Sequence, residues 1–169
     1  KNLVPLIQAF GQLCRQGYMG KLVLAGGKGW MYDDIFAEVA KLQLQQRVVF
    51  TGYVQQDALE MLYHFADCFV TTSLYEGFGL PPLEAMIRGI PVLVSDIPVF
   101  HETVADCGFY CNPKDAEHIA DKLMLLLLDK KQKNVLAAKG MRRAQQFNWQ
   151  RTAQETWQFY QKIMERQVS

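Results

Sequence analysis

Residues 67–89, DCFVTTSLYEGFGLPPLEAMIRG, contain a strand, a loop and a helix in that order. The run from Asp67 to Thr72 is rich in β-forming residues and predicts the strand, and the glycine-containing segment Ser73–Leu80 predicts the loop. Pro81 favours the first turn of a helix, where its missing N–H leaves no hydrogen bond unmade, and Gly89 favours the helix end. The stretch therefore predicts one strand–loop–helix unit of an α/β fold.

Similar units lie on both sides of this stretch. Further strands are predicted at residues 21–25, 47–51, 91–95 and 108–111. Helices are predicted around them at residues 2–17, 31–44, 57–66, 99–104, 115–128, 130–146 and 148–166. Strands separated by helices require crossover connections, which produce a mainly parallel sheet with helices on both faces. We therefore expect residues 1–169 to form a single Rossmann-like, doubly wound α/β domain.

Composition and charge exclude several classes of protein. Hydrophobic residues make up 50% of the chain and charged residues 21%, which is typical of a folded globular domain. The formal net charge of +1 gives no general attraction to nucleic acid. The sequence shows no secretory signal, no stretch long enough to span a bilayer and no cysteine spacing typical of zinc. We therefore expect a cytoplasmic protein with free thiols, no metal site and no nucleic-acid partner.

The loop before Pro81 is the strongest candidate for a binding site, because ligands of doubly wound sheets lie outside the carboxyl ends of the strands. Pro81 and Pro82 have no N–H, so the donors at this helix start are the backbone amides of Phe78, Gly79 and Leu80. Amides at a helix N-terminus attract anions, and glycine lets a ligand approach the backbone closely. The segment therefore predicts a phosphate site.

Two carboxylates flank this predicted phosphate site. Glu76 stands on the loop and Glu84 one turn into the helix, an E-x7-E spacing. They would repel a phosphate unless they accept hydrogen bonds from hydroxyl groups, which a sugar supplies. Taken singly, Glu84 could merely stabilise the helix dipole and Glu76 could be a surface residue. The combined spacing favours a site for a sugar phosphate.

The sequence at these residues closely resembles the C-terminal domain of glycosyltransferase family 4, the group 1 retaining enzymes with the GT-B fold. The resemblance extends over essentially the whole chain. The matching segments are Lys1–Leu3, Leu24–Gly27, Val49–Val54, Tyr75–Met86, Gly89–Val92 and Phe147–Trp149.

The resemblance implies a role for each matching site residue. Lys1 would bind the donor diphosphate and Glu76 would lie near the hydroxyls of the donor sugar, so these two are the catalytic candidates. Glu84 would hold the nucleotide ribose. The remaining donor-binding positions would be Gly26, Gly27, Val54, Phe78, Gly79 and Leu80, with the loop at Val54 against the base. An arginine that partners the lysine in the family, a few residues upstream of it, has no counterpart here.

The resemblance also implies a reaction. We expect transfer of a hexosyl group, with retention and without a metal or other cofactor, from a nucleoside diphosphate sugar to a hydroxyl acceptor. Similarity of Gly26–Trp30 to bacterial polysaccharide mannosyltransferases favours GDP-mannose and a role in lipopolysaccharide synthesis. The chain starts just after the family's first, central strand and lacks the N-terminal domain for the glycan or lipid-linked acceptor. We therefore expect the isolated chain to be inactive and the full-length enzyme to associate peripherally with the inner face of the cytoplasmic membrane.

Two other functional classes are alternatives to a glycosyltransferase. A nicotinamide- or flavin-dependent enzyme requires G-x-G-x-x-G after its first strand, and Gly26–Trp30 does not match that pattern. A non-catalytic nucleotide-binding or interaction module stays open. In the GT-B enzymes that the chain resembles, the matching helix crosses back to the N-terminal domain. Part of the apolar surface of the final predicted helix would therefore be exposed or self-associated in the isolated chain. The apolar residues of this helix are Trp149, Ala153, Trp157, Tyr160 and Ile163.

Overall fold

Strands and helices alternate along the chain in a computed structural model that describes residues 1–27 and 32–167. The strands within these residues are β1 (Leu22–Ala25), β2 (Val48–Gly52), β3 (Phe69–Thr71), β4 (Val92–Ser95) and β5 (Phe109–Cys111). The α-helices are α1 (Leu3–Arg15), α2 (Tyr32–Lys41), α3 (Gln56–His64), α4 (Leu80–Ile87), α5 (Pro98–Thr103), α6 (Ala116–Leu128), α7 (Lys130–Ala144) and α8 (Trp149–Gln167). A 3-10 turn at Ala105–Cys107 precedes β5.

All the strand pairs are parallel, which confirms the predicted α/β class. The strands form two sheets, β1–β2 and β3–β4–β5, where a single sheet was predicted. A cavity of about 1260 Å³ lies between β1 and β3, which do not pair with each other.

The side chains of β4 explain why helices cover both faces of its sheet. Val92, Leu93 and Val94 are completely buried. Because successive side chains of a strand point to opposite faces, Val92 and Val94 pack in one hydrophobic cluster and Leu93 packs in another. The first cluster includes residues of α4 and α5, and the second includes residues of α1 and α6. Burial of each such side chain stabilises the fold by about 1.5–3 kcal/mol.

Helix α8 extends away from this core. Asn148 caps it, since its Oδ1 accepts a hydrogen bond from the Arg151 N–H at 2.8 Å. Its large apolar side chains are exposed, with Trp157 at 61% and Tyr160 at 58%. The expectation of an exposed apolar face on this helix is therefore confirmed.

None of the described helices combines the length and hydrophobicity that a bilayer span needs. The four cysteines are free thiols.

Candidate functional site

Most of the predicted site residues meet at the carboxyl ends of β1 and β3. Six of them line the cavity between the two strands: Lys1, Gly26, Gly27, Glu76, Gly79 and Glu84. The other three lie on adjoining elements without lining that cavity. Val54 is in the loop between β2 and α3, Phe78 precedes Gly79, and Leu80 is the first residue of α4.

Lys1 and Glu76, which both line the cavity, form an ion pair. The Ser73 hydroxyl donates a hydrogen bond of 2.7 Å to the same Glu76 oxygen, Oε1. Burial would by itself raise the pKa of Glu76, but the hydrogen bonds from Lys1 and Ser73 outweigh burial and hold that pKa below its ordinary value. Glu76 is therefore a carboxylate at neutral pH, and its described contacts leave Oε2 for a ligand.

Asn2 fixes the position of Lys1, a role that the sequence pattern did not reveal. Its side-chain amide donates hydrogen bonds to the carbonyls of Thr72, at 3.1 Å, and Pro113. The Thr72 hydroxyl in turn donates to the Asn2 carbonyl at 2.9 Å. Asn2 has a left-handed backbone with φ of 57°, which asparagine tolerates better than most residues. These contacts join the start of α1 to the end of β3 and hold Lys1 beside Glu76.

The start of α4 has the geometry that the two prolines predicted. Gly79 is its N-cap residue with φ of 86°, and no described side chain caps the helix. Since Pro81 and Pro82 cannot donate, the backbone amides available at this helix start are those of Phe78, Gly79 and Leu80. The arrangement can bind an anion or a hydroxyl-rich ligand.

An aromatic cluster supports the loop on its outer side. The ring of Phe78 packs edge-on against Phe147 with centroids 5.9 Å apart, and the Arg143 guanidinium lies 4.9 Å over the Phe147 ring. Arg143 also donates to the Thr103 carbonyl at 3.3 Å, at the end of α5. Phe147 belongs to one of the segments that resemble the family. Its contact with the loop was not predicted, because this contact joins segments far apart in the chain.

Glu84 lies just beyond the first turn of α4, where it is half-buried and lines the cavity. The Tyr63 hydroxyl donates a hydrogen bond of 3.0 Å to Glu84 Oε2. Tyr63 was not predicted as a site residue, since a tyrosine at helical spacing is more often part of a core.

The loops after β1 and β2 form the far end of the site. The Gly26 amide donates a hydrogen bond of 2.9 Å to the Gly52 carbonyl, so the two loops run side by side. Both glycines have positive φ, 140° for Gly26 and 67° for Gly52. Residues 28–31, and with them most of the Gly26–Trp30 segment that favoured GDP-mannose, lie outside the described residues. Within the described ranges, no group of three His, Cys, Asp or Glu side chains could hold a metal ion.

Comparisons with known proteins agree with one another. The family model described as "Glycosyl transferases group 1" matches residues 1–143. The O-antigen chain mannosyltransferase B of Escherichia coli is 35% identical over 161 residues, which are 95% of this chain and 42% of that protein.

Two solved structures share the fold. A sucrose-phosphate synthase from Thermosynechococcus elongatus superposes with a TM-score of 0.82 and 30% identity, covering 94% of this chain and 42% of that one. The C-terminal domain of a group 1 glycosyl transferase from Francisella tularensis superposes with a TM-score of 0.77 and 25% identity, covering 86% of this chain and 78% of that one. The chain thus spans less than half of the mannosyltransferase and of the synthase.

Proposed function

Because the chain belongs to the family of group 1 glycosyl transferases, we propose that it binds the nucleoside diphosphate sugar donor within a longer glycosyltransferase. The observation that carries this proposal is the meeting of Lys1, Glu76 and Glu84 with the start of α4 in one cavity. Such a donor requires positive groups that bind its diphosphate and carboxylates that accept hydrogen bonds from its hydroxyls.

Lys1 and the amides of the α4 start would bind the diphosphate. The Lys1 side chain is 62% exposed, so its ammonium can turn from Glu76 toward a phosphate. Negative charge grows on the diphosphate as the glycosidic bond breaks, and donors held in place beforehand stabilise that charge. This role needs no proton transfer by either group.

Glu76 and Glu84 would bind the two hydroxyl-bearing ends of the donor. Glu76 would accept from the sugar with Oε2, since its described hydrogen bonds use Oε1. Glu84 would accept from the ribose with Oε1, since its described hydrogen bond uses Oε2. The loops that meet at Gly26 and Gly52 would lie against the base, with Val54 among them.

We also propose a donor, an acceptor and a cellular location for the reaction. The name of the Escherichia coli relative supports mannose as the transferred sugar. GDP as the nucleotide and retention at the anomeric carbon rest on the sequence resemblance. The acceptor would be a glycan or lipid-linked hydroxyl bound by a separate N-terminal domain, at the cytoplasmic face of the membrane.

Calorimetric titration of the 169-residue chain with GDP-mannose, GDP, UDP, ADP and NAD tests this function. We expect the GDP compounds to bind more tightly than the other nucleotides, and weakly in absolute terms because the domain acts alone. A preference for UDP or ADP would indicate a different donor nucleotide and would still support a nucleotide-sugar-binding domain. Binding of NAD alone, or of no nucleotide, would contradict the proposal and favour a redox enzyme or an interaction module.

A further inference from the structure

We propose that Tyr63 is a positioning residue that orients the Glu84 carboxylate for the ribose hydroxyls. This inference rests on the proposed function, because it assigns a partner to the residue that would hold the ribose. Tyr63 lies at the end of α3 and Glu84 at the start of α4, so the pair joins two helices that the chain separates by the whole of β3.

The contact between the two residues is direct and partly buried. Tyr63 is only 7% exposed, and its ring packs near Phe69 of β3 in the hydrophobic cluster beneath α4. Its hydroxyl reaches out of that cluster to Glu84 Oε2 at 3.0 Å. Burial, followed by the charge and hydrogen bond of Glu84, raises the pKa of Tyr63 above its ordinary value. Tyr63 therefore remains protonated and donates, while Glu84 accepts.

Arg88 packs over the ring of Tyr63. Its guanidinium lies 4.8 Å over the ring centroid, and its Nε donates to Glu60 Oε2 at 2.8 Å in an ion pair with that residue. Another of its nitrogens donates to the Glu84 carbonyl at 2.6 Å. Arg88 thus connects the backbone of Glu84, the ring of Tyr63 and the side chain of Glu60.

These contacts give the carboxylate a defined orientation. A glutamate side chain has three rotatable bonds, and ordering it at the moment of binding opposes binding through lost entropy. The Tyr63 hydroxyl fixes Oε2 before a ligand arrives, and Oε1 is then left at the cavity wall. A positioned acceptor of this kind would distinguish a ribose from a sugar without its 2′- and 3′-hydroxyls.

Tyr63→Phe removes the hydroxyl and leaves the ring. The variant would be titrated with GDP and UDP, each beside its 2′,3′-dideoxy analogue, and Tyr160→Phe on the exposed face of α8 would serve as the matched control. We expect the wild-type chain to prefer the ribose forms. We expect Tyr63→Phe to weaken their binding about 3- to 10-fold, as for loss of one hydrogen bond, and to leave binding of the dideoxy forms unchanged. In a Glu84→Ala background the same change should have no further effect.

The outcomes separate this inference from the proposed function. Equal weakening of ribose and dideoxy forms by Tyr63→Phe would show a merely structural role and overturn the inference. Unchanged affinity for the ribose forms would overturn it as well, while the wild-type preference for ribose would still support the function. A wild-type chain that binds no nucleotide would overturn both. A wild-type chain that binds the ribose and dideoxy forms equally would remove the ribose role of Glu84 and overturn the inference, while its nucleotide binding would still support the function.

Discussion

The ring of Phe100 lies directly against Gly79, so that a Cβ atom at position 79 would come within 2.6 Å of Phe100 Cε1. Phe100 is completely buried and cannot easily move. Gly79 also has φ of 86°, a conformation that other residues rarely adopt. The glycine is thus required both by the backbone and by the ring beneath it, and together they set the position of the amides at the start of α4.

Gly79→Ala should therefore damage both the fold and the candidate site. The left-handed backbone and the overlap with Phe100 together predict a loss of about 2–4 kcal/mol in the free energy of unfolding. Gly77→Ala is the matched control, because a Cβ at that position meets no atom within 4 Å. Urea denaturation measures both variants. Similar stabilities for the two would contradict the packing described at Gly79.

The ion pair of Lys1 with Glu76 predicts a pH-dependent contribution to stability. The pKa of Glu76 is lower in the folded protein than its ordinary value. The contribution is therefore present above the unfolded pKa of about 4.3 and is lost as the pH falls through the lower folded value. Lys1→Met should destabilise the protein by no more than about 1 kcal/mol at neutral pH, because Lys1 is mostly exposed, and by less in acid.

Denaturation across this pH range, with Lys1→Met in wild-type and Glu76→Gln backgrounds, measures the effect. In the Glu76→Gln background the substitution of Lys1 should produce no pH-dependent difference. A difference of the same size in both backgrounds would assign the effect to another partner of Lys1.

Substitution of Glu76 separates catalysis from nucleotide binding in the full-length enzyme. The proposed contact of Glu76 with the donor sugar would act on the reacting centre, so Glu76→Ala should lower turnover more than it lowers affinity for GDP. We expect at least about a tenfold loss of kcat. Glu117→Gln, on the exposed start of α6, is the control. Unchanged turnover at saturating donor, with equal losses in binding of GDP and GDP-mannose, would contradict a role at the sugar.

Helix α8 should be dispensable for folding and responsible for self-association. Its described side chains are exposed from Trp149 through Glu165, so deletion of residues 149–169 should change the free energy of unfolding by less than about 1 kcal/mol. An exposed apolar face of this kind favours association. Sedimentation at rising concentration should therefore show association of the intact chain and less of the shortened one, and Trp157→Lys should have a similar effect. Unfolding on deletion would place α8 in the core.

The local features of the fold and site were predictable because they depend on local chemistry. Alternation of β-rich and helical segments predicted the parallel strands, and the prolines after Gly79 predicted which amides stand at the start of α4. The division into two sheets was not predicted, because the pairing of strands depends on how segments distant in the sequence pack together.

The supporting contacts of the site could not be inferred in the same way. Asn2 contacts Thr72 and Pro113, and Tyr63 contacts Glu84. Nothing in the local pattern of either residue indicates these partners, because the contacts arise only once distant segments pack together. The sequence therefore indicated the groups that would touch a ligand and missed those that hold them in place.

An ¹H–¹⁵N correlation spectrum of the 169-residue chain, recorded during titration with GDP-mannose, tests the central claim most directly because it detects weak binding and locates it. We predict saturable shifts of the Gly26, Gly27, Val54, Gly79 and Leu80 amide signals. Mannose alone should not reproduce these shifts, and Glu84→Ala should weaken them. No shifts at millimolar GDP-mannose, or shifts confined to the exposed face of α8, would contradict a donor site at the carboxyl ends of these strands.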